Sequence, residues 1–279
     1  QDYQVALRGF RTAIIERGYD PTVTMLTLNT DVSTPAELQS TCSEHKVDLI
    51  LALGTDAAKL VKEANLAIPS VFAMVSEPGA SGLLNSGENA GTPMTGSCLD
   101  VPVSEQFASL LEVVPGIRRI GVIYDPNESQ LMVDEGRVAA NRMDLGFVAY
   151  PVHSETEVPK ALSAIRPRID ALWLVSDRTV LTTQSLQYIF LFAFQNNLPL
   201  MGLSEHFVRM GALLAVGPDY EDVGRQSGEL AAKILKGRDP DELPVVSPRK
   251  LMLSLNLRTA RIIGLDIPDR VVRKAAVTY

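Results

Sequence analysis

The sequence predicts an α/β protein with two doubly wound parallel-sheet lobes and a cleft between them. Short apolar runs typical of buried strands alternate with segments of helical periodicity along most of the chain. The chain has 279 residues, which is enough for one large domain or two of ordinary size. The predicted strands are too many for one short sheet. A Gly-, Ser- and Asn-rich loop at 79–93 divides them into two groups.

The predicted elements follow one another in chain order. Helical spacing predicts helices at 4–17, 35–45, 57–67, 103–114, 128–145, 155–165, 182–196 and 220–235. Apolar or alternating runs predict strands at 22–28, 48–53, 70–75, 94–99, 119–124, 147–152, 171–175, 199–203 and 212–216. A doubly wound lobe normally opens with a strand, whereas this chain opens with a helix. We therefore expect a strand and its ligand-facing turn to precede Gln1.

The segment 48–78 carries the clearest candidate site of the first lobe. It is predicted to run as strand, Gly54-Thr55 turn, helix, strand and Ser76-Glu77 turn. Both turns then lie at the carboxyl ends of neighbouring parallel strands, which is where open α/β sheets bind ligands. A helix that starts at this edge offers free N–H groups and a favourable dipole to a carboxylate or a phosphate.

Polar or aromatic residues also follow the later strands, which are predicted to form the second sheet. These candidate ligand-binding residues are Tyr124, Asp125, Asp177, Arg178, Ser204 and Asp219. Any one of them is explained by the need for turn formers and helix N-caps at strand ends. As a set that faces the turns of the first lobe, they indicate a ligand cleft.

Composition and motifs exclude several classes of function. The net charge of -7 argues against a surface that follows nucleic-acid phosphates. No apolar run approaches the roughly 20 residues that span a bilayer. Dinucleotide, P-loop, nucleophile-elbow and zinc-protease motifs are missing from the sequence, and the three histidines are scattered. We therefore predict no enzyme, no cofactor and no metal. An enzyme that uses Asp125 or Asp177 as a base remains an alternative without a supporting motif.

The chain resembles the ABC-transporter substrate-binding proteins with the type I periplasmic-binding-protein fold, the group that includes tryptophan and tyrosine binders. The matching segments occur in order along nearly the whole chain. They are LALGTDAA (51–58), IPSVFAMVSEP (68–78), MTG (94–96), LLEVVPGIRRIGVIYDPNES (110–129), DALWLVSDRTV (170–180), GALLAVGPDYEDVGRQSGELAAKIL (211–235) and LSLNLRTARIIGLDIP (253–268).

This resemblance implies the biological setting. It implies capture of a small solute, here an amino acid or aromatic acid, for a membrane ABC permease. The protein would be a monomer in the periplasm or another extracytoplasmic compartment, with a lipid anchor left open. The first lobe would comprise 1–99 and about 219–240, and the second 100–218 and about 241–279. A ligand-sensing module of a signalling or transcription-regulatory protein is the alternative.

The resemblance also implies roles for individual residues. Thr55 and Ser76 would contact a ligand carboxylate, and Asp177 would pair with a ligand ammonium. The sequence departs from the family pattern at two positions. The family often has Asp where Glu77 stands and Asn where Arg178 stands. Arg178 would pair with a second carboxylate or point to solvent.

Overall fold

The computed structural model describes residues 2–79, 81–84 and 92–279. The chain divides into two units. Unit 1 comprises Gln1–Asp100 and Pro218–Leu251, and unit 2 comprises Val101–Gly217 and Met252–Tyr279. The chain therefore passes from one unit to the other three times. Most of the predicted loop at 79–93 lies outside the described residues.

Helices and strands alternate along most of the described chain. The helices are α1 (Asp2–Ile15), α2 (Pro35–His45), α3 (Thr55–Glu63), α4 (Val103–Val113), α5 (Pro126–Arg142), α6 (Val158–Ile165), α7 (Thr183–Gln195), α8 (Glu205–Met210), α9 (Tyr220–Leu235), α10 (Leu257–Ile262) and α11 (Asp269–Lys274). The strands are β1 (Ile50–Leu53), β2 (Ser70–Val75), β3 (Met94–Cys98), β4 (Arg119–Tyr124), β5 (Gly146–Pro151), β6 (Ala171–Trp173), β7 (Leu200–Met201), β8 (Leu214–Pro218), β9 (Leu251–Leu255) and β10 (Val277–Thr278). None of the helices within the described ranges combines the length and the apolar character needed to cross a membrane.

Unit 1 contains a parallel sheet in the order β1-β2-β3. Every residue of β2 is buried, as expected for an apolar strand covered on both faces. Phe72 packs in a cluster with Val61 of α3, while its neighbour Val71 packs with Phe10 of α1 and Leu230 of α9. Because successive strand residues point to opposite faces, helices cover both faces of this sheet.

Helices α1 and α9 pack at very short range because glycines lie in their contact. A Cβ atom added at Gly9 would lie 1.9 Å from the carbonyl oxygen of Glu221. A Cβ atom added at Gly224 would lie 1.8 Å from the carbonyl oxygen of Ala6. Neither position can accept a larger side chain without moving a helix backbone. This contact fixes the start of α1 relative to the rest of unit 1.

Unit 2 contains a seven-stranded sheet in the order β10-β9-β8-β7-β6-β4-β5. Pairing is parallel from β5 through β4, β6 and β7 to β8, and again between β9 and β10. Leu172 of β6 packs with Leu162 of α6 and Ile189 of α7. The adjacent Trp173 instead lies 5.1 Å, centroid to centroid, from Phe107 of α4. Helices therefore cover both faces here too, which confirms the predicted α/β class.

The structure corrects two predictions about elements. The alternating segment 22–28 is not a strand, because most of it is exposed and only Leu28 forms a bridge, to the nearby Val32. The sequence also predicts no helix directly after the strand at 199–203, whereas Glu205 and His206 open α8 there. This helix has 6 residues, too few to show helical periodicity in the sequence.

The structure also corrects the expected boundary near residue 241. The segment 241–251 was expected in the second lobe but belongs to unit 1. The Val246 main chain lies beside β3, where its N–H donates to the Gly96 carbonyl at 3.0 Å. The Cys98 N–H donates to the Val246 carbonyl, also at 3.0 Å. These bonds extend the β3 edge and hold the segment in unit 1.

Candidate ligand-binding site

The turn after β1 offers uncapped N–H groups in unit 1. Gly54 is the N-cap of α3 with φ 92° and ψ 163°, and its own N–H donates to the Ala73 carbonyl at 2.9 Å. In the described ranges, no side chain caps α3. The first N–H groups of the helix, from Thr55 onward, therefore lack the partner that an N-cap side chain normally supplies. This end of α3 is suited to an anion.

The turn after β2 is shaped by an irregularity that the sequence did not indicate. Pairing with β3 shifts register between Ala73 and Val75, and the intervening Met74 has φ 61°. A β-bulge bends its strand, so the chain changes direction just before Ser76. Ser76 and Glu77 are both exposed. Non-glycine residues at positive φ are uncommon and cluster at functional sites.

Glu77 is fixed through its main chain. It also has positive φ, 48°, and its N–H donates to both carboxylate oxygens of Asp100, at 3.1 and 2.9 Å. The Glu77 side chain is exposed beside Ser76. The two predicted turns of unit 1 therefore present a half-buried Thr55 hydroxyl, an exposed Ser76 hydroxyl and an exposed Glu77 carboxylate.

Tyr3 is a residue of this edge that the sequence analysis missed. A Cβ atom added at Gly54 would lie 2.6 Å from the Tyr3 hydroxyl oxygen, so the Tyr3 ring covers the Gly54 turn. The ring is 53% exposed. An exposed aromatic residue in the first turn of α1 was the available signal.

Asp219 has a structural role in unit 1. It is the N-cap of α9, and its carboxylate accepts the Asp222 N–H at 3.1 Å. Its own N–H donates to the Lys250 carbonyl at 3.0 Å. The sequence predicts Asp219 among the turns of the second sheet. It follows β8 directly but belongs to unit 1, because the chain leaves unit 2 at Gly217.

In unit 2, Asp177 is enclosed by hydrogen-bond donors. Its side chain accepts the N–H of Asp125 and the hydroxyl of Ser129 on Oδ2, each at 2.7 Å. It accepts the N–H groups of Thr179 and Val180 on Oδ1, each at 3.0 Å. Asp177 is only 2% exposed. An ionised carboxylate has about four acceptor positions, so this one is filled from within the protein.

Asp125 lies next to Asp177 but has fewer partners. It follows β4 and caps α5, accepting the Asn127 N–H on Oδ1 at 3.0 Å. The Thr179 hydroxyl donates to Oδ2 at 2.8 Å. The Asn127 N–H, followed by the Thr179 hydroxyl, lowers the pKa of the Asp125 carboxyl, so the ionised form is favoured. The exposed imidazole of His153 has its Nδ1 3.9 Å from Oδ1.

Arg178 forms an exposed pair beside these carboxylates. Its guanidinium donates to both carboxylate oxygens of Glu128, at 2.7 and 2.9 Å. The hydrogen bond to Glu128 raises the pKa of Arg178, and the bond from Arg178 lowers the pKa of Glu128. Because the Arg178 side chain is 89% exposed, this pair adds little to stability. Arg178 is already paired within the protein.

The other predicted residues of unit 2 lie near strand ends in different settings. Tyr124 ends β4, is buried, and its hydroxyl donates to Gln130 Oε1 at 3.2 Å. Ser204 is exposed and precedes α8 without a side-chain capping bond. Among the residues that the structure describes, no three or more His, Cys, Asp or Glu side chains are placed to hold a metal ion. Asp125 and Asp177 thus place two carboxylates side by side in unit 2.

A family model described as ABC transporter substrate binding protein matches residues 3–278. A tyrosine-binding protein of Clostridioides difficile (strain R20291) is 27% identical over 267 residues, which cover 94% of this chain and 77% of that protein.

Solved structures share the fold. A ligand-free, open substrate binding protein with adhesive properties from Clostridium difficile has a TM-score of 0.78 and 26% identity, covering 99% of this chain and 94% of that chain. An ABC domain in complex with L-Trp from Streptococcus pneumonia has a TM-score of 0.62 and 21% identity, covering 100% of this chain and 95% of that chain. The resemblance stated from the sequence is thus confirmed. The chain belongs to the ABC transporter substrate binding protein family.

Proposed function

We propose that the protein binds an amino acid, with an aromatic amino acid such as tyrosine as the first candidate, and delivers it to an ABC importer. The observation that carries this proposal is the pair of adjacent carboxylates, Asp125 and Asp177, at the ends of β4 and β6. A buried or half-buried charge needs an opposite charge or several hydrogen bonds. Asp177 already has four hydrogen bonds, so the ammonium of an amino acid would supply the opposite charge for Asp125.

The edge of unit 1 carries groups that suit a carboxylate, the other charged group of an amino acid. The uncapped start of α3 and the hydroxyls of Thr55 and Ser76 are donors suited to a carboxylate. Tyr3, half exposed over Gly54, offers an aromatic surface. Amino acids are the common small solutes that carry both a carboxylate and an ammonium. A neutral sugar would leave the Asp125 carboxylate without a charged partner.

The relatives point to the same class of solute. The tyrosine-binding protein of Clostridioides difficile covers nearly the whole chain at 27% identity. Substrate-binding proteins of ABC transporters are extracytoplasmic. We further propose that this protein acts in the periplasm or at the cell surface, as a monomer, with or without a lipid anchor. Its partner there would be a membrane permease.

The test is isothermal titration of the purified protein with the twenty amino acids, aromatic acids, sugars and nucleosides. We expect tyrosine or another aromatic amino acid to bind most tightly. Thr55→Ala should weaken that binding by about 1 kcal/mol, roughly fivefold, because the N–H groups at the start of α3 remain. Thr41→Ala, at a threonine on α2 that is half-buried like Thr55, is the matched control. Binding of a sugar or nucleoside, with all amino acids silent, would overturn the proposal.

A further inference from the structure

We infer that Asp125, and not Asp177, pairs with the ligand ammonium, and that Asp177 is the positioning residue that holds Asp125 in place. This inference rests on the proposed function, because it names the residue that receives the amino group. It reverses the assignment that the family resemblance implies for Asp177. It is carried by the hydrogen bonds of the two carboxylates in unit 2.

Asp177 has no acceptor capacity left for a ligand. Four donors of the protein fill its two oxygens, and three of the four are main-chain N–H groups. Main-chain donors cannot turn away to make room for another cation partner. The side chain is also almost fully buried. A ligand ammonium at Asp177 would have to displace hydrogen bonds that shape two turns of the protein.

The same bonds connect Asp177 to Asp125 by two routes. Oδ2 of Asp177 accepts the main-chain N–H of Asp125 and so fixes the backbone from which the Asp125 side chain extends. Oδ1 of Asp177 accepts the main-chain N–H of Thr179, whose hydroxyl donates to Oδ2 of Asp125. Asp177 therefore sets both the position of Asp125 and the direction of one of its oxygens.

Asp125 keeps the capacity that Asp177 lacks. In the part of the chain that the structure describes, Oδ1 of Asp125 accepts the Asn127 N–H, Oδ2 accepts the Thr179 hydroxyl, and the Asn127 side chain also hydrogen-bonds to the carboxylate. Asp125 therefore has fewer donors than Asp177, and about one of its four acceptor positions is open. The neighbouring group on the Oδ1 side is His153, whose side chain is 67% exposed. Asp125 is itself only 6% exposed, and it combines a fixed, ionised carboxylate with an acceptor position that the protein leaves open.

The first experiment needs no ligand. Asp125→Asn keeps an oxygen for the Asn127 N–H and an amide that can donate to the Thr179 hydroxyl, so its thermal midpoint should match that of the parent. Asp177→Asn places an amide group against N–H donors and should lower the midpoint by several degrees. An Asp177→Asn protein as stable as the parent would overturn the positioning role.

The second experiment separates the ammonium from the rest of the ligand. Parent and variants are titrated with L-tyrosine and with 3-(4-hydroxyphenyl)propanoate, which lacks the amino group. The parent should prefer tyrosine. Asp125→Asn should weaken tyrosine binding by roughly 30-fold or more. It should leave the propanoate almost unchanged or bound more tightly. If Asp125→Asn keeps the parental preference for tyrosine, Asp125 is not the ammonium partner.

If Asp177→Asn fails to fold, Thr179→Val tests the positioning of Asp125 instead. It removes the hydroxyl donated to Asp125 and keeps the main-chain N–H donated to Asp177. We expect a loss of roughly threefold to tenfold for tyrosine and none for the propanoate. Equal losses for both ligands would contradict the positioning route. If no amino acid binds the parent, the proposed function and the ammonium role fail together, while the ligand-free comparison still decides the role of Asp177.

Discussion

Replacing Gly54 by alanine should weaken both unit 1 and its solute binding. The φ of 92° and ψ of 163° at Gly54 lie in a region that essentially only glycine adopts. Holding an alanine there costs about 1–3 kcal/mol. The added Cβ atom would also lie 2.6 Å from the Tyr3 hydroxyl oxygen. Because the Tyr3 ring is half exposed, it can turn aside, so the backbone strain dominates the loss of stability.

Two measurements separate the loss of stability from the loss of solute binding in Gly54→Ala. Urea unfolding of Gly54→Ala should show a loss of about 1–3 kcal/mol, and adding Tyr3→Ala should recover little of it. Tyrosine titration should show weaker binding, because the Tyr3 ring and the start of α3 both shift. Gly237→Ala is the matched control, since Gly237 also has positive φ, 94°, with nothing within 4 Å of an added Cβ. It should lose stability and keep affinity. A Gly54→Ala protein with parental stability and affinity would refute this reasoning.

Three further predictions concern the scaffold. Gly224→Ala puts a Cβ 1.8 Å from a carbonyl oxygen of α1, and overpacking of this kind should destabilise the protein by about 1–3 kcal/mol or more in urea unfolding. The hydrogen bond from Arg119 lowers the pKa of the Asp170 carboxyl, so the ionised carboxylate stabilises the folded state. This contribution to folding is fully present above the unfolded pKa of about 3.9, and it is lost as the pH falls through the lower pKa of the folded state. Thermal midpoints below about pH 4 should therefore fall more steeply in the parent than in Asp170→Asn. Gln106→Leu leaves the buried indole N–H of Trp173 without its 2.9 Å acceptor and should cost about 1–3 kcal/mol. Trp173 is the single tryptophan of the chain, so its fluorescence follows this unfolding directly.

Elements with strong local signals were predictable from the sequence. The helix at 35–45 has the predicted bounds, because Thr34 and Glu37 form a capping box and Pro35 opens the first turn. The helix at 220–235 also has the predicted bounds, starting after the N-cap Asp219. The strand at 70–75 is a continuous apolar run that ends at a polar turn. Capping residues, prolines and apolar runs act within a few residues, so one sequence is enough to locate them.

Other features depend on distant partners and could not be predicted. The segment 22–28 alternates like a strand, but a strand also needs a neighbour to pair with, and only Leu28 forms a bridge. The positive φ of Met74 follows from a register shift against β3, some twenty residues further along the chain. The contact of Tyr3 with Gly54 joins the first turn of α1 to the start of α3. Each of these needs the position of two elements at once.

The assignment of the ligand ammonium shows why a strand-end carboxylate cannot be interpreted from sequence alone. Asp125 and Asp177 both follow a buried strand and both precede turn-forming residues. They differ in the number of hydrogen-bond donors that the fold directs at them. The donors to Asp177 come from two separate segments of the chain, and one of them, Ser129, lies 48 positions from Asp177. A filled carboxylate holds the protein together, whereas one with open acceptor positions can bind a cation. Ligand selectivity is the measurement that separates the two roles. Loss of a positioning carboxylate weakens the binding of every ligand, whereas loss of the ammonium partner weakens only the ligands that carry an amino group.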